Sequence, residues 1–192
     1  MERTARKIEI LSVSARLFRE RGYSAVSMRD IAQALNIKAA SLYNHIKSKQ
    51  EILREIVIEI AEEFIEGIQE IVAGQGSVNQ KLKQLILLHI TITLRDPDEM
   101  ACLNNDWMHL EDGDKKYYLK MRDEYEENFR LIIKEGIEQN EISDLNVDVI
   151  IFTMLSTLRT LYLWYGRKKT IRAEVLKGDL TQALLKGIIR NT

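Results

Sequence analysis

Between Ser27 and Lys49 the chain places two helix-start signals and a tight-turn residue so close together that two short helices fill the space between them. Ser27-Met28-Arg29-Asp30 has the form of a capping box, in which the serine oxygen accepts the third amide of the helix and Asp30 reaches back. Val26 before the cap and Ile31 four residues beyond it are placed as a hydrophobic staple. A helix from Met28 to Ala34 or Leu35 is predicted. It stops at Asn36, one of the few non-glycine residues that tolerates positive φ. A third helix runs from about Lys38 to Ile46, and Ser48 with Glu51 forms a second capping box that opens a fourth.

Upstream, Ile8, Leu11, Ala15 and Phe18 recur at helical spacing from Thr4 to Arg21, and Gly22 stands where a helix commonly ends. Two short helices joined by a tight turn, behind a supporting first helix, give the helix-turn-helix arrangement. Ile31, Leu35, Ile37, Leu42 and Ile46 are expected to pack inward, leaving Ala39, Ala40, Tyr43 and Asn44 outward. Small residues early in a recognition helix let its backbone approach base edges, and asparagine can bond adenine at two points. Tyr43, Ser41 and His45 are types that contact phosphate, and Lys47 and Lys49 flank the start of the fourth helix. The bland alternative is a three-helix packing unit with a polar surface.

Charge favours the first reading. The whole chain carries a formal net charge of −1, but residues 1–50 hold ten Lys/Arg, Arg3 among them, against four acids. A basic head on an acidic body suits binding of a polyanion by the head alone. No apolar run approaches the roughly 20 residues needed to cross a bilayer, and no apolar stretch backs the N-terminus as in a secretory signal. The single cysteine, Cys102, has no partner in the chain, which fits a reducing cytoplasm. Three dispersed histidines form no metal spacing with cysteine or acids, and no nucleophile-base motif is present. Neither an enzyme nor a metal or other cofactor is implied.

The stretch Ser27-Met28-Arg29-Asp30-Ile31-Ala32-Gln33-Ala34-Leu35-Asn36-Ile37-Lys38-Ala39-Ala40-Ser41-Leu42-Tyr43-Asn44-His45-Ile46-Lys47-Ser48-Lys49 resembles the signature of the TetR family of bacterial transcriptional regulators almost position by position. The resemblance covers about the first quarter of the chain directly. It implies phosphate contact at Ser27, base approach at Ala39 and Ala40, backbone contacts at Tyr43 and His45, and a phosphate clamp at Lys49. Two positions depart from the pattern. Asn36 stands where the family often has glycine. Lys38 stands where it often has serine or threonine, so the third helix is expected to lack its usual cap, with Lys38 left to reach DNA.

The implied fold is all-α: an N-terminal three-helix helix-turn-helix DNA-binding domain, residues 1–50, joined to a C-terminal helical ligand-binding and dimerisation domain, residues 51–192. An apolar stripe from Ile52 to Ile68 predicts a long helix ending near Gly74-Gln75-Gly76. Later helices are expected over Val78–Arg95, Asp98–His109, Asp114–Gln139, Asn146–Arg167 and Ile171–Arg190, with borders at Pro97, Gly113, Ser143-Asp144 and Gly166–Thr170. By the family pattern the last two helices build a dimer interface. Leu158, Leu161, Tyr162, Tyr165, Leu180, Leu184 and Ile188 are its candidates, with simple core filling as the alternative. Ligand-pocket candidates are His89, Cys102, Trp107, Met108, Tyr125, Phe129, Phe152 and Leu155, mostly apolar with a few polar groups. Trp107-Met108-His109-Leu110-Glu111, Arg122-Asp123-Glu124-Tyr125 and Leu163-Trp164-Tyr165 are faintly similar to family members that sense acyl-CoA thioesters.

The expected function is a dimeric repressor of a double-stranded DNA operator, released by a small apolar or amphipathic effector such as an acyl-CoA-like metabolite. The alternative is a DNA-binding adaptor whose C-terminal domain holds a protein partner. No membrane partner is expected.

Overall fold

The structure, a computed structural model, describes residues 4–166, 171–186 and 188–189. Arg3, the expected helix ends at Arg167 and Arg190, and most of the expected Gly166–Thr170 border lie outside the described residues. Among the described residues the chain is all-α with no strand. The helices are α1 (Ala5–Arg21), α2 (Met28–Ala34), α3 (Ala39–Tyr43), α4 (Lys49–Ala73), α5 (Val78–Arg95), α6 (Pro97–Asn105), α7 (Asp112–Glu138), α8 (Val147–Tyr165) and α9 (Ala173–Lys186). Short 3-10 turns cover Tyr23–Ala25 and Trp107–His109.

The chain divides into two compact units, one of residues 4–61 with Asp98–Lys120, the other of Glu62–Pro97 with the described residues from Met121 onward. Helices α4 and α7 contribute residues to both.

In the first unit, α1 starts at Thr4, whose hydroxyl accepts the Lys7 amide, and ends at Gly22. Gly22 has φ +82° and ψ 143°, so its φ is positive while its ψ is extended, a combination that side-chain-bearing residues rarely adopt. The buried face of α1 is Ile10, Leu11, Ser14, Ala15, Leu17 and Phe18. Ile8, placed on that face by spacing, is 55% exposed, because the face is centred a turn further along. Ser14 is tolerated inside because its hydroxyl donates to the Ile10 carbonyl at 2.7 Å. Ile31, Leu35, Leu42 and Ile46 are buried beneath α2 and α3, and Ile37 is half-buried. Full burial of each such side chain stabilises by roughly 1.5–3 kcal/mol. On α4, Ile52, Leu53, Ile56 and Val57 continue this core.

One expected helix, Asp98–His109, is broken in two. Its α part ends at Asn105, and the chain continues as the 3-10 turn Trp107–His109. The break falls at Asp106, a buried residue whose charged form is favoured by the nearby Tyr23 backbone N–H.

In the second unit, α5 opens with a capping box of Ser77 and Gln80 and packs against α8 and α9. Helix α7 closes with Asn140 at φ 60°, and the Glu141 and Ile142 amides return to the Gly136 carbonyl. The Ser143 amide donates to Ile188, and an antiparallel bridge joins Ile142 to Ile189. The nineteen residues of α8 are, by length and composition, the one stretch among the described residues apolar enough to cross a membrane, against the expectation that none comes near. Ile150, Met154, Leu155, Leu158 and Leu161 on it are buried within the unit, as on a core helix.

Candidate nucleic-acid interface

The local chemistry of the helix-turn-helix follows its sequence closely. The Ser27 hydroxyl accepts the Asp30 amide at 3.2 Å, the Asp30 carboxylate accepts the Ser27 amide at 2.8 Å, and hydroxyl and carboxylate also pair. The bond from the Ser27 hydroxyl, followed by that from its amide, holds the Asp30 carboxyl below its ordinary range. Asn36 adopts φ 53°, and the Ile37 amide reaches back to the Ala32 carbonyl at 3.0 Å. Lys38 is the N-cap of α3 and makes no side-chain capping bond. Helix α3 is only five residues long, shorter than the span to Ile46 that its spacing predicts. The second capping box differs in detail: Ser48 accepts the Glu51 amide at 3.0 Å, but the Glu51 carboxylate takes the Lys47 amide, one residue further back.

Of the ten residues predicted to face DNA, Ser27, Lys38, Ala40, Ser41, Tyr43, Asn44, His45 and Lys47 are exposed on this one unit. Ala39 is half-buried over the buried Leu42 and Ile46. Lys49 is different. Its ammonium donates to the carbonyls of Tyr23 at 2.9 Å and Val26 at 2.7 Å and lies 4.2 Å from the Tyr23 ring centre. Burial pulls its pKa below the ordinary lysine value. Burial likewise pushes the Tyr23 phenol up to about 12.

Two residues missed by sequence reasoning belong to the same surface. Arg29 and Gln33 are exposed one turn apart on α2 and line a hollow of about 560 Å³ with Asn36, Ile37, Lys38 and Ala39. Their i, i+4 spacing on the polar side of α2 is the signal that could have found them. Some basic residues of the head are paired with the chain's own acids and others are not. Arg6 pairs with Glu9, Lys7 with Glu55 and Arg19 with Asp98. Among the described residues Arg29, Lys38 and Lys47 have no carboxylate partner and are exposed, so their charge is available to a polyanion.

The ligand-pocket candidates are divided between the units. Cys102, Trp107 and Met108 lie in the first; His89, Tyr125, Phe129, Phe152 and Leu155 lie in the second. Cys102 is fully buried with its Sγ 3.9 Å from the Ala15 carbonyl, and burial pushes its thiol pKa up, leaving it unreactive. Trp107 is half-buried against Tyr118, and Met108 is exposed. In the second unit His89, Tyr125 and Phe64 form a ring cluster, with His89 Nε2 2.7 Å from the Tyr125 hydroxyl. Burial first, then the Arg159 charge, lowers the His89 pKa to about 3, so the ring is neutral. Among the described residues its Nδ1 is buried without a hydrogen-bond partner, as is the hydroxyl of Thr93 one turn along α5. Phe129 and Leu155 are buried, whereas Phe152 is 72% exposed on α8.

The dimer candidates also divide. Leu158, Leu161, Tyr162 and Ile188 are buried within the unit, and Tyr165, Leu180 and Leu184 are half-buried. The Tyr165 hydroxyl donates to the Ile171 carbonyl at 3.0 Å. The outward stripe of α8 is Val149, Phe152, Ser156, Thr160 and Leu163, beside a groove of about 670 Å³ lined by Trp164, Val175 and Leu180 among others.

Known proteins share this fold. The family model for bacterial regulatory proteins of the tetR family matches residues 10–56, and that for the tetracyclin repressor-like C-terminal domain matches residues 75–188. The chain is 24% identical to the HTH-type transcriptional repressor KstR2 of Rhodococcus jostii (strain RHA1), over 97% of this chain and 92% of that one. Its fold matches the ketosteroid transcriptional regulator KstR2 of Mycobacterium tuberculosis with a TM-score of 0.91 at 22% identity, covering 99% and 98% of the two chains. It also matches AibR, solved in complex with isovaleryl coenzyme A and operator DNA, with a TM-score of 0.78 at 22% identity over 93% and 97%. The second family model alone spans more than half of the sequence, and the chain belongs to the TetR family of helix-turn-helix transcriptional regulators.

Proposed function

We propose that the chain is a cytoplasmic, dimeric repressor that binds a double-stranded DNA operator through α2 and α3 and leaves it when a small effector binds the second unit. The observation that carries the DNA half is the coincidence of exposed Ala40, Ser41, Tyr43 and Asn44 with the unpaired cations Arg29, Lys38 and Lys47 on one helix-turn-helix surface. Cations supply sequence-independent affinity, and the α3 side chains read base edges. The relatives named as repressors support the sign of the regulation.

A dimer is part of this reading because paired recognition helices must reach half-sites about 34–36 Å apart. The surface favoured for it is the α8 stripe of Val149, Phe152, Ser156, Thr160 and Leu163 with Val175 of α9, which offers more exposed apolar area than the inward-packed Leu158, Leu161 and Tyr162.

The effector half rests on the His89–Tyr125 pair and Thr93. Neutral, buried groups with unused hydrogen-bonding capacity suit a ligand that is apolar around an uncharged oxygen. An acyl thioester has that chemistry, and AibR was solved with isovaleryl coenzyme A. Helix α4, which belongs to both units, is the route by which an effector would act on the head. Such coupling is limited to the difference in effector affinity between the two states, typically ~1–3 kcal/mol.

The test is selection of duplexes by the wild-type chain from a randomised pool, followed by sedimentation and by titration of the complex with isovaleryl- and octanoyl-CoA. The expected result is enrichment of a two-fold symmetric site, two chains per duplex, and release by at least one thioester. An unenriched pool would overturn the DNA reading. Enrichment without release by either thioester would remove the acyl-CoA class.

A further inference from the structure

We propose that Lys49 is a positioning residue that holds the start of α2 from within, rather than a phosphate ligand, and that the Asp106–His109 segment completes the same grip. The inference rests on the reading that this head binds operator DNA, and it concerns the first unit alone.

The gripped object is the Tyr23–Ala25 turn, which delivers the chain from Gly22 to Ser27. Val26 is bonded to Ser27, the N-cap of α2, so whatever fixes the Val26 carbonyl fixes the entry of that helix. Lys49 holds both the Val26 and Tyr23 carbonyls and sits against the Tyr23 ring. The Tyr23 backbone N–H favours the charged form of the buried Asp106 carboxyl beside it. The His109 ring stacks on Tyr23 with centres 5.2 Å apart and planes 22° from parallel, while Phe18 meets Tyr23 edge-on at 5.1 Å. Gln50, next to Lys49 on α4, donates to the His109 carbonyl at 2.8 Å and ties the two jaws together.

An ammonium has three N–H donors. Two of those of Lys49 are on carbonyls, and its flank faces an aromatic ring that attracts cations. Turning to a phosphate would strip the part-buried Val26 carbonyl of the Lys49 donor and leave that of Tyr23 with the Val26 amide alone, which is costly. Lys47, two residues earlier, is exposed and has no such ties, so it can meet phosphate at no cost to the fold. The two lysines that bracket Ser48 thus divide the work between holding and touching. Because Asp106 and His109 sit at the junction of α6 and α7, a shift of that junction would loosen the same turn and the helix that follows it.

The experiment has two arms. In ¹⁵N-labelled wild-type protein the Lys49 ammonium is expected to give a slowly exchanging signal in the free chain, unmoved when the selected duplex is added. An ammonium in fast exchange in the free chain, or one that moves on binding, would overturn the proposal. In the second arm Lys49→Gln is expected to weaken operator binding about tenfold with its salt slope unchanged, while Lys47→Gln lowers the slope by about 0.9. His109→Ala, at an exposed ring, is expected to weaken binding with unchanged slope and to be less than additive with Lys49→Gln. A slope reduced by about 0.9 in Lys49→Gln, or strict additivity, sinks the idea. If no duplex is ever selected, the DNA-binding reading fails, and the free-chain signal still decides the grip.

Discussion

Around Tyr23 charged side chains meet backbone groups, whereas around His89 neutral side chains meet one another and leave two polar atoms unmatched. Lys49 donates to both carbonyls of the Tyr23 turn, and the buried Asp106 carboxyl lies beside the Tyr23 backbone N–H. His89, Tyr125 and Phe64 are held by ring packing and a single hydrogen bond, with His89 Nδ1 and the Thr93 hydroxyl unpartnered. A saturated cluster fixes one geometry, which suits a part whose shape must match DNA. A partly unsatisfied cluster retains affinity for a further polar group, which suits a sensor.

Breaking the saturated cluster should have the larger effect. Tyr23→Ala removes a buried ring contacted by Phe18, His109 and Lys49 and is expected to destabilise by about 3–5 kcal/mol, measured by denaturant unfolding. Loss below about 1 kcal/mol would mean that the turn is held by its backbone bonds alone.

The neutral cluster makes a prediction about acid. His89 titrates near 3 in the folded chain and near 6.5 when unfolded, so between those values the unfolded state binds the extra proton. Its contribution to stability is full above about pH 6.5 and is lost as the pH falls towards 3, at up to about 1.4 kcal/mol per unit. His89→Phe should flatten that part of the unfolding profile relative to wild type. An unchanged profile would show that His89 is not held neutral.

What could be read in advance was the local chemistry. The Ser27–Asp30 box, the positive φ of Asn36, the uncapped Lys38 and the span of α5 all depend on neighbours within a few residues. What could not be read was the phase of helices with more than one apolar side. On α8 Leu158, Leu161 and Tyr162 look as sticky as Phe152 and Leu163, and only packing against α5 decides that the first three turn inward. The break at Asp106 was hidden for a related reason. Asp106 is buried beside Tyr23, more than eighty residues away in the sequence. The same distance blindness grouped Cys102 and Trp107 with His89, although they belong to different units.

A smaller effect tests the unmatched side of the comparison. Thr93→Val replaces a buried, unpartnered hydroxyl by a methyl group of similar shape. It should leave stability unchanged or raise it by up to about 1 kcal/mol, since an unsatisfied polar group is removed. A clear loss would indicate that the hydroxyl has a partner in solution, and would weaken the case for an effector oxygen at that point.

The smallest effects on stability belong to the outer surface, where Arg29→Gln, Lys38→Gln and Asn44→Ala should each stay within about 0.5 kcal/mol of wild type. Their separation lies in binding. Arg29→Gln and Lys38→Gln should weaken all duplexes alike and lower the salt slope by about 1 each, as expected for charges facing phosphate. Asn44→Ala should keep the slope and lose about 1–3 kcal/mol of discrimination at one base position, because an uncharged side chain adds nothing to counterion release. Asn44 stands at the C-cap of a helix of five residues, so its reach into the groove depends on the whole head docking closely. If Asn44→Ala left base preference untouched while Arg29→Gln altered it, base readout would have moved from α3 to α2, and the hollow shared by Arg29, Gln33 and Lys38 would become the reading edge.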